Sequence, residues 1–573
     1  MCLIAIVGTG AAAEFAGVPL ADTAYMLYAA ERVLDGARLY LDLVEINPPL
    51  IIALNLPAVL LARVAGVSDI LVYRALVTAA LLGMLAFSDW CLRQTLNPAD
   101  DTLRRRLVLV LAFALFLAPG NSFGQREHLL VGLALPYVLL TVGRVDGRSA
   151  PVWPALAAGV LAGVGLALKP HFLLLWAALE GYAAWRLRAR RPSPEALGAV
   201  SFLALYVAGV ALLTPEYFRL VTMLGPAYSR FGHTPFLLVL VTAPGTALCY
   251  LAVLGWTALR RAGRHHALWM VLAGALVASF VSGAAQLKGW GYHFYPARVF
   301  ALALLALMVL DVRRPLSRPV QRLYAAVAFA ALGTSAVSSL AVSIGRIGHF
   351  DPVGRREQAQ LDELVTAVRR HTPPGGSLDI LSYTIESGFP LVNYSGVRWA
   401  SRLPCLWILE AVYQDRLYDP RPLRFRARAQ MDPAERYLND AVYEDLTRFR
   451  PEVLMVLRHA RDVQGNAVRR LDYVGYFGRD PRIAEVLRQY RLADEVGPYL
   501  LYVRAGSPSQ PGRRPTPEAG RYDVLRQPMP GGRPGLAGDR GFLAYTGLFL
   551  LLAVCAYRLE QRRSRRSKRS EGP

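Results

Sequence analysis

Apolar runs of about 17–25 residues, divided by short polar loops, recur along the first 345 positions. Each is long enough to cross the ~30 Å hydrocarbon core of a bilayer as a helix. The pattern predicts spans near 1–18, 69–92, 107–119, 129–143, 151–168, 172–186, 197–213, 235–259, 267–285, 296–312, 323–345 and 541–557. That makes about twelve crossings, and no alternating pattern of the barrel kind competes with them. One stretch breaks the rhythm: "VPLADTAYMLYAAERVLDGARLYLDLVEINPPLIIALNLPAVLLA" at 18–62. Pro48, Pro49, Pro57, Asn47 and Asn55 make 48–67 a poor spanning helix. Positions 21–67 therefore read as an outward loop carrying two interfacial helices, the first over 23–34 and stopped by Gly36.

Charge sets the orientation. The chain has 64 Lys+Arg against 42 Asp+Glu, a formal +22. The arginines collect in short loops: Arg93 with 104–106, Arg144 with Arg148, then 186–191, 260–266, 313–322 and 558–569. This is the distribution of a topology signal, with those loops cytoplasmic, and it argues against nucleic acid as the partner. It holds only if 48–67 does not cross. The N-terminus lacks a basic n-region and a small-residue cleavage site, so it reads as a short first membrane helix rather than a signal peptide. Glu14 sits awkwardly inside it, and its brevity leaves open a start upstream of Met1.

Positions 346–505 are more polar and alternate in type. Helices are expected at 355–370, 432–447 and 481–490, and strands at 378–382, 453–457 and 499–503. That order predicts an external α/β domain. Positions 506–540, rich in Pro, Gly and Arg, read as a flexible linker, and 541–573 as a last span with a basic tail. The expected organisation is thus a polytopic α-helical membrane domain over 1–345 followed by these three parts. Cys2, Cys91, Cys249, Cys405 and Cys555 are scattered, so no disulfide is expected within the polar region. No metal-type Cys/His spacing occurs; the sequence requires no cofactor, and a divalent metal stays open.

Candidate chemistry lies in the outward loops. The first holds Asp22, Asp42, Glu45 and Asn47. Later loops hold Arg126, Glu127 and His128, then Lys169 and His171, then Lys288, Tyr292 and His293. Ionisable groups at membrane depth are costly and usually functional. Acids on one wall and cations on the others suit a lipid-linked phosphate donor: cations hold the charge of the leaving phosphate, and a carboxylate takes the proton of an attacking hydroxyl. Plainer roles compete. Asp22 fits a helix N-cap, and Glu31, Arg32, Asp35 and Arg38 fit a solvated helix face. Asp42 and Glu45 fit surface acids, Lys169 and Lys288 snorkelling anchors, and Arg126–Glu127 a structural ion pair. Trp290, Tyr292 and Tyr295 fit an interfacial aromatic belt as well as a sugar-stacking surface.

An acid after the first membrane helix, then "YAAERVLDGARLYLD", then "NPPL" and a short amphipathic helix, resembles the first outer loop of the GT-C glycosyltransferases. The nearer branch is that of dolichyl-phosphate-mannose protein mannosyltransferases and bacterial lipid A aminoarabinose transferases. The resemblance covers the membrane part and is densest over 19–67. It implies inverting transfer of a sugar from a polyprenyl-phosphate donor to an envelope acceptor (glycan, lipid or protein) on the outer face of a bacterial inner membrane, with Asp22 as the base. The chain departs from the family twice. Members often carry two adjacent acids where this chain has Asp22-Thr23. The aminoarabinose branch has Lys before the proline pair where this chain has Asn47, so Arg126, Lys169 or Lys288 would have to hold the phosphate.

Two other functions remain open on sequence. A transporter or flippase would place charges near the bilayer midplane and break helices in paired halves. A non-catalytic envelope scaffold would tolerate loss of Asp22.

Overall fold

The computed structural model describes residues 1–188, 192–243, 245–312, 318–373, 375–417, 423–458 and 471–506. The expected linker beyond 506 and the expected last span at 541–557 lie outside the described residues. The membrane part is built from α1 (Cys2–Ala16), α2 (Ala21–Leu34), α3 (Leu50–Ala65), α4 (Asp69–Thr95), α5 (Asp101–Ala112), α6 (Arg126–Val145), α7 (Val152–Ala167) and α8 (Leu173–Leu187). It continues through α9 (Pro194–Leu213), α10 (Glu216–Arg230), α11 (Phe236–Thr242), α12 (Thr246–Leu259), α13 (His266–Ala284), α14 (Tyr295–Leu310) and α15 (Pro319–Ile347).

Among the described residues, 6 helices are long and apolar enough to cross a membrane, or up to 8 if each of two bent pairs counts as one span. Helices stand at every expected span within those residues, but several are short. α5 passes into a π-helical turn over Phe113–Leu117, and α8 starts only after the Lys169-Pro170 break. α10 was not expected. It is amphipathic, burying Leu220, Leu224 and Ala227, and a search for continuous apolar runs passes over it.

α1 and α2 meet at a 73° bend. Pro19 lies in the bend, lacks an N–H and holds Val18 out of the helical region. α2 then runs from Ala21 to Leu34 and ends before Gly36, whose φ of 91° favours glycine. Unlike a helix lying free on a bilayer, α2 buries Thr23 to Ala30 almost completely. α3 is closer to the interfacial expectation: it exposes Leu60, Leu61 and Val64. α7 and α9 approach most closely at glycines. A Cβ on Gly159 would collide with the Glu195 carbonyl, and one on Gly198 with that of Leu156. Gly159 and Gly163 form a small-xxx-small pair that lets the two backbones touch.

The arginine-bearing loops meet at one end of the bundle. Arg144 at the end of α6 pairs with Glu180 of α8 and Glu195 of α9. Arg148 donates to Asn97 at 2.8 Å. His265 bridges Asp100 and Asp311, at 3.0 and 2.6 Å. α6 spans 20 residues, about 30 Å, so Arg126 at its other end lies at the opposite face.

The polar region folds as α16 (Pro352–His371), β1 (Ser377–Leu381), α17 (Leu391–Ser395), β2 (Arg398–Trp399), α18 (Trp407–Leu417), α19 (Pro433–Phe449), β3 (Val453–Leu457), α20 (Tyr473–Phe477), α21 (Pro481–Leu487), β4 (Tyr490–Val496) and β5 (Tyr499–Arg504). The sheet order is β2-β1-β3-β5-β4. β1 pairs parallel with β2 and β3, and β5 pairs antiparallel with β3 and β4. The expected helix over 481–490 is corrected at its end. The polar run there is compatible with a helix, but pairing with β5 across the Gly497 turn makes Tyr490 the start of a strand.

This domain sits against α2. Phe389 packs on Tyr25 and Tyr28, with ring centroids 5.1 and 5.5 Å away. Asn393 donates to the Ala24 carbonyl at 3.1 Å, and the Trp399 N–H to the Tyr28 hydroxyl at 3.1 Å.

Candidate functional site

Asp22 occupies the first turn of α2, just beyond the bend, where a helix N-terminus favours a carboxylate; the N-cap itself is Leu20, so the capping role expected for Asp22 is corrected, its side chain capping no N–H of α2. Its Oδ2 accepts from Nη2 of Arg126, the first residue of α6. The loop ahead of Arg126 is held from both sides. The Tyr73 hydroxyl donates to the Gly124 carbonyl at 2.6 Å, and the Gly124 N–H donates to His128 Nδ1 at 2.9 Å. Gly124 has φ of 74°, and a Cβ on it would strike the Tyr73 ring. His128 also contacts the Leu115 carbonyl through Nε2 at 2.9 Å. With Nδ1 accepting, Nε2 carries the proton, so both ring nitrogens are committed to holding the loop.

The Arg126–Glu127 pair considered from sequence does not form. Arg126 turns to Asp22, and Glu127 pairs with Lys169, Nζ to Oε1 at 2.6 Å. Glu127 is 0% exposed and Lys169 7%, so Lys169 does not snorkel to water. Burial lowers the Lys169 pKa, against the opposing pull of Glu127. His171 is driven to about 3 by burial and by the charges of Lys169 and Arg126, so it is neutral. Several buried polar atoms here have no hydrogen-bond partner among the described residues: Arg126 Nη1, Glu127 Oε2, Gln125 Nε2, His171 Nε2 and His293 Nδ1. Buried polar groups are nearly always paired. A cluster of orphans around two ion pairs marks a place built to receive polar atoms from elsewhere.

The loop ahead of α14 reaches the same place through its rings. Tyr292 lies under Lys169, 5.5 Å from Nζ to centroid. His293 packs on Tyr292 at 4.4 Å and on Trp290 at 5.3 Å. Tyr295 turns into the core and donates to the Ala114 carbonyl at 2.6 Å. Lys288 is placed differently from Arg126 and Lys169. Its Nζ donates to the Tyr228 carbonyl at 3.0 Å and to that of Phe231, and it lies 4.1 Å from the Tyr228 ring centroid and 5.0 Å from that of Trp290. Burial pushes its pKa down to about 7. Lys288 thus clasps the end of α10.

The first loop divides in two. Glu45 is buried, and its Oε1 accepts from the Asn47 backbone at 2.8 Å and from the Asn47 side chain at 2.5 Å. Burial raises its pKa; the charge of Arg126 opposes this and that of Asp22 adds to it, so Glu45 and Asn47 belong to the Asp22 neighbourhood. Asp42 does not. It pairs with Arg38 at 3.0 Å and with Arg448 of α19 at 3.6 Å, at the domain junction. Arg63 of α3 gathers Glu31 and Asp35, so that face of α2 meets a cation rather than only solvent.

Sequence reasoning passed over two carboxylates of the α/β domain. Glu386 is pushed up to about 7 by burial, with the charge of Asp22 adding to the shift. Glu410 is also raised to about 7 by burial, beside the Gly232 N–H and Lys288. Neither stands in a motif, and only the folded chain brings them to this end. Among the described residues, no group of three or more His, Cys, Asp or Glu side chains could hold a metal ion.

No family model and no curated protein matches the chain. Solved structures do. ArnT from Cupriavidus metallidurans in the apo state is 15% identical, with a TM-score of 0.40 over 80% of this chain and 87% of its own. The archaeal oligosaccharyltransferase AglB from Archaeoglobus fulgidus, in complex with an inhibitory peptide and a dolichol-phosphate, is 10% identical, with a TM-score of 0.40 over 88% of this chain and 74% of its own. The arabinofuranosyltransferase AftD from Mycobacteria is 14% identical, with a TM-score of 0.40 over 88% of this chain and 40% of its own.

Proposed function

We propose that the chain is a membrane glycosyltransferase that moves a sugar from a polyprenyl-phosphate donor to an envelope acceptor. The observation that carries this reading is the Asp22–Arg126 pair at the mouth of α2, with Arg126 Nη1 unpartnered and the buried Glu127–Lys169 pair alongside. In the reaction, the acceptor hydroxyl attacks the anomeric carbon as the bond to the phosphate oxygen breaks on the opposite face, inverting the centre. Asp22 takes the hydroxyl proton. The departing phosphate keeps the bonding electron pair, and Arg126 and Lys169 balance its charge. The unpartnered Nη1 is free to meet that phosphate while Nη2 holds Asp22 in place. Lys288 acts at one remove, by fixing the end of α10. No cofactor is needed for these steps.

The same proposal places the site and the α/β domain on the periplasmic side of a bacterial inner membrane, with the arginine-bearing end inside. It takes about twelve crossings, counting the shorter helices; the last of those expected from sequence lies outside the described residues. The lipid tail of the donor would lie between helices at the site.

Asp22→Asn is the direct test. Asp22 lies in the first turn of α2 and caps no N–H, so Asn keeps the side chain's size and an oxygen for Arg126 while the proton acceptor is lost; the helix gives up only about 0.3–1 kcal/mol of charge–dipole interaction. Sugar transfer by purified protein in nanodiscs should fall about 10²–10⁴-fold, with expression and polyprenyl-phosphate binding unchanged. Turnover near wild type would remove Asp22 as the base.

A further inference from the structure

We infer that the crevice at the carboxyl edge of the α/β sheet binds a neutral saccharide, with Glu386, Ser387 and Tyr499 as its hydrogen-bonding groups. The inference rests on the glycosyltransferase reading and deepens it by naming the acceptor class.

Topology points to the place. β1 lies between β2 and β3 and runs parallel to both, so the chain leaves β1 for a neighbour on one side and later returns on the other. At such a switch point the connections diverge and leave a crevice beyond the strand ends, where α/β sheets bind ligands. The segment after β1 carries Ser382, Thr384, Glu386 and Ser387. Tyr499 pairs with Leu457, the last residue of β3, so it stands at the same edge. A cavity occupies this place. Glu386, Ser387, Phe389 and Tyr499 line it from the sheet, and Leu20 and Ala21 line it from the bend that leads directly into Asp22.

The lining selects the ligand. The Tyr499 hydroxyl donates to Ser387 Oγ at 2.9 Å, Ser387 donates to Ser382 at 2.8 Å, and Thr384 bonds Ser387 at 3.1 Å. Such hydroxyls turn to give or accept as a polyol demands. The Glu386 side chain lines the cavity and forms no ion pair among the described residues, so it retains capacity to hydrogen-bond a ligand hydroxyl. The half-buried Val18, Pro19 and Leu20 offer an apolar surface for a sugar's C–H face. Among the described residues the lining includes Glu357 and Glu386 but no cation, which disfavours a phosphate or uronate here. The crevice therefore differs in kind from the cationic Arg126–Lys169 place across Asp22.

The test uses the full chain in nanodiscs and measures binding of mannohexaose and arabinohexaose by saturation-transfer NMR. Wild type should bind at least one, and Glu386→Gln and Tyr499→Phe should each weaken binding about tenfold or more. Binding of polyprenyl phosphate, read on the same samples, should stay within about twofold, a shift under 0.5 kcal/mol. A neutral glycolipid competing better than free hexaose assigns the saccharide to a lipid; the reverse assigns it to a free glycan. Tighter binding of a glucosamine hexamer than of mannohexaose overturns the neutral class. No hexaose or glycolipid binding by wild type, or equal loss of both ligands in the variants, overturns the site. If the variants lose saccharide while wild type transfers no sugar from any polyprenyl-phosphate donor, the crevice stands and the glycosyltransferase reading falls. If wild type transfers sugar and neither variant alters saccharide binding, the reverse holds.

Discussion

Replacing Lys169 by methionine removes one charge from a pair that water barely reaches. Lys169 Nζ and Glu127 Oε1 lie 2.6 Å apart, with the side chains 9% and 0% exposed. At an effective dielectric of about 20, their gross attraction is roughly 6 kcal/mol. Most of that offsets the desolvation of two ions, but removing one partner strands the other, at a cost of about 3–5 kcal/mol. Glu127 Oε2 already lacks a partner, so Glu127 has nothing else to lean on among the described residues except its chain neighbour Arg126. Lys169→Met should therefore cost about 3 kcal/mol, the lower end of that range. Adding Glu127→Gln should recover at least half, because the double variant buries no unpaired charge. The measurement is a double-mutant cycle on the full chain in nanodiscs, read by denaturant unfolding. A snorkelling lysine predicts a loss under about 1 kcal/mol, as for exposed pairs. A loss that small, or strictly additive costs, would refute the buried-pair reasoning. Polyprenyl-phosphate affinity should stay low in both variants, since neither restores the cation.

Four further outcomes follow from the geometry. Arg126→Ala should weaken polyprenyl-phosphate binding by about 1.5–3 kcal/mol, the worth of a hydrogen bond to a charged group; unchanged affinity by titration would remove Arg126 from the phosphate site. Reporter fusions after Arg105 and Arg264 should read cytoplasmic and those after Asn47 and Gly124 external; an external signal at Arg105 would mean that α3 crosses. Asp379, buried in β1, is raised from 3.8 to about 7 by burial and by Asp445. A raised folded value means stability is fully present below about pH 4 and lost as pH climbs toward 7, so Asp379→Asn should stabilise the sheet at pH 8 by up to about 4 kcal/mol and little at pH 4; equal hydrogen-exchange protection of β1 at pH 8 in both proteins would contradict this. Gly159→Ile should force α7 from α9 and cost at least about 3 kcal/mol by the same unfolding assay, since backbone rather than a flexible side chain lies in the way.

What could be read from the sequence was what depends on near neighbours. The break between the first span and the helix after it was expected between 18 and 23, the end of α2 is written in Gly36, and the strands Ser377–Leu381 and Val453–Leu457 in short β-rich runs. Partnerships across the chain were not readable. Glu14, awkward inside an apolar helix, is answered by Arg346 at a separation of 332 residues. Arg126 and Glu127 are adjacent, yet on a helix successive side chains diverge, and each finds a partner on another element. Lys288 looked like its fellow outward cations until the carbonyls of Tyr228 and Phe231 were found around it. Glu386 lies in no motif, and its approach to Asp22 depends on how the α/β domain sits on α2. The missed strand Tyr490–Val496 has the same origin, since its pairing lies with β5 rather than in its own residues.

The glycine contact between α7 and α9 leaves no side chain between the two backbones at Gly159 and Gly198. Rotamer changes are the usual lubricant when packed helices slide, and here there are none to use. The pair is a fixed post. Lys169 follows the end of α7 by two residues, so its ammonium inherits the post's position. Whatever opens to admit a lipid tail must then be hinged elsewhere, on elements whose contacts are made by side chains. In the proposed reaction, the post would supply the unmoving reference against which the donor's phosphate is aligned.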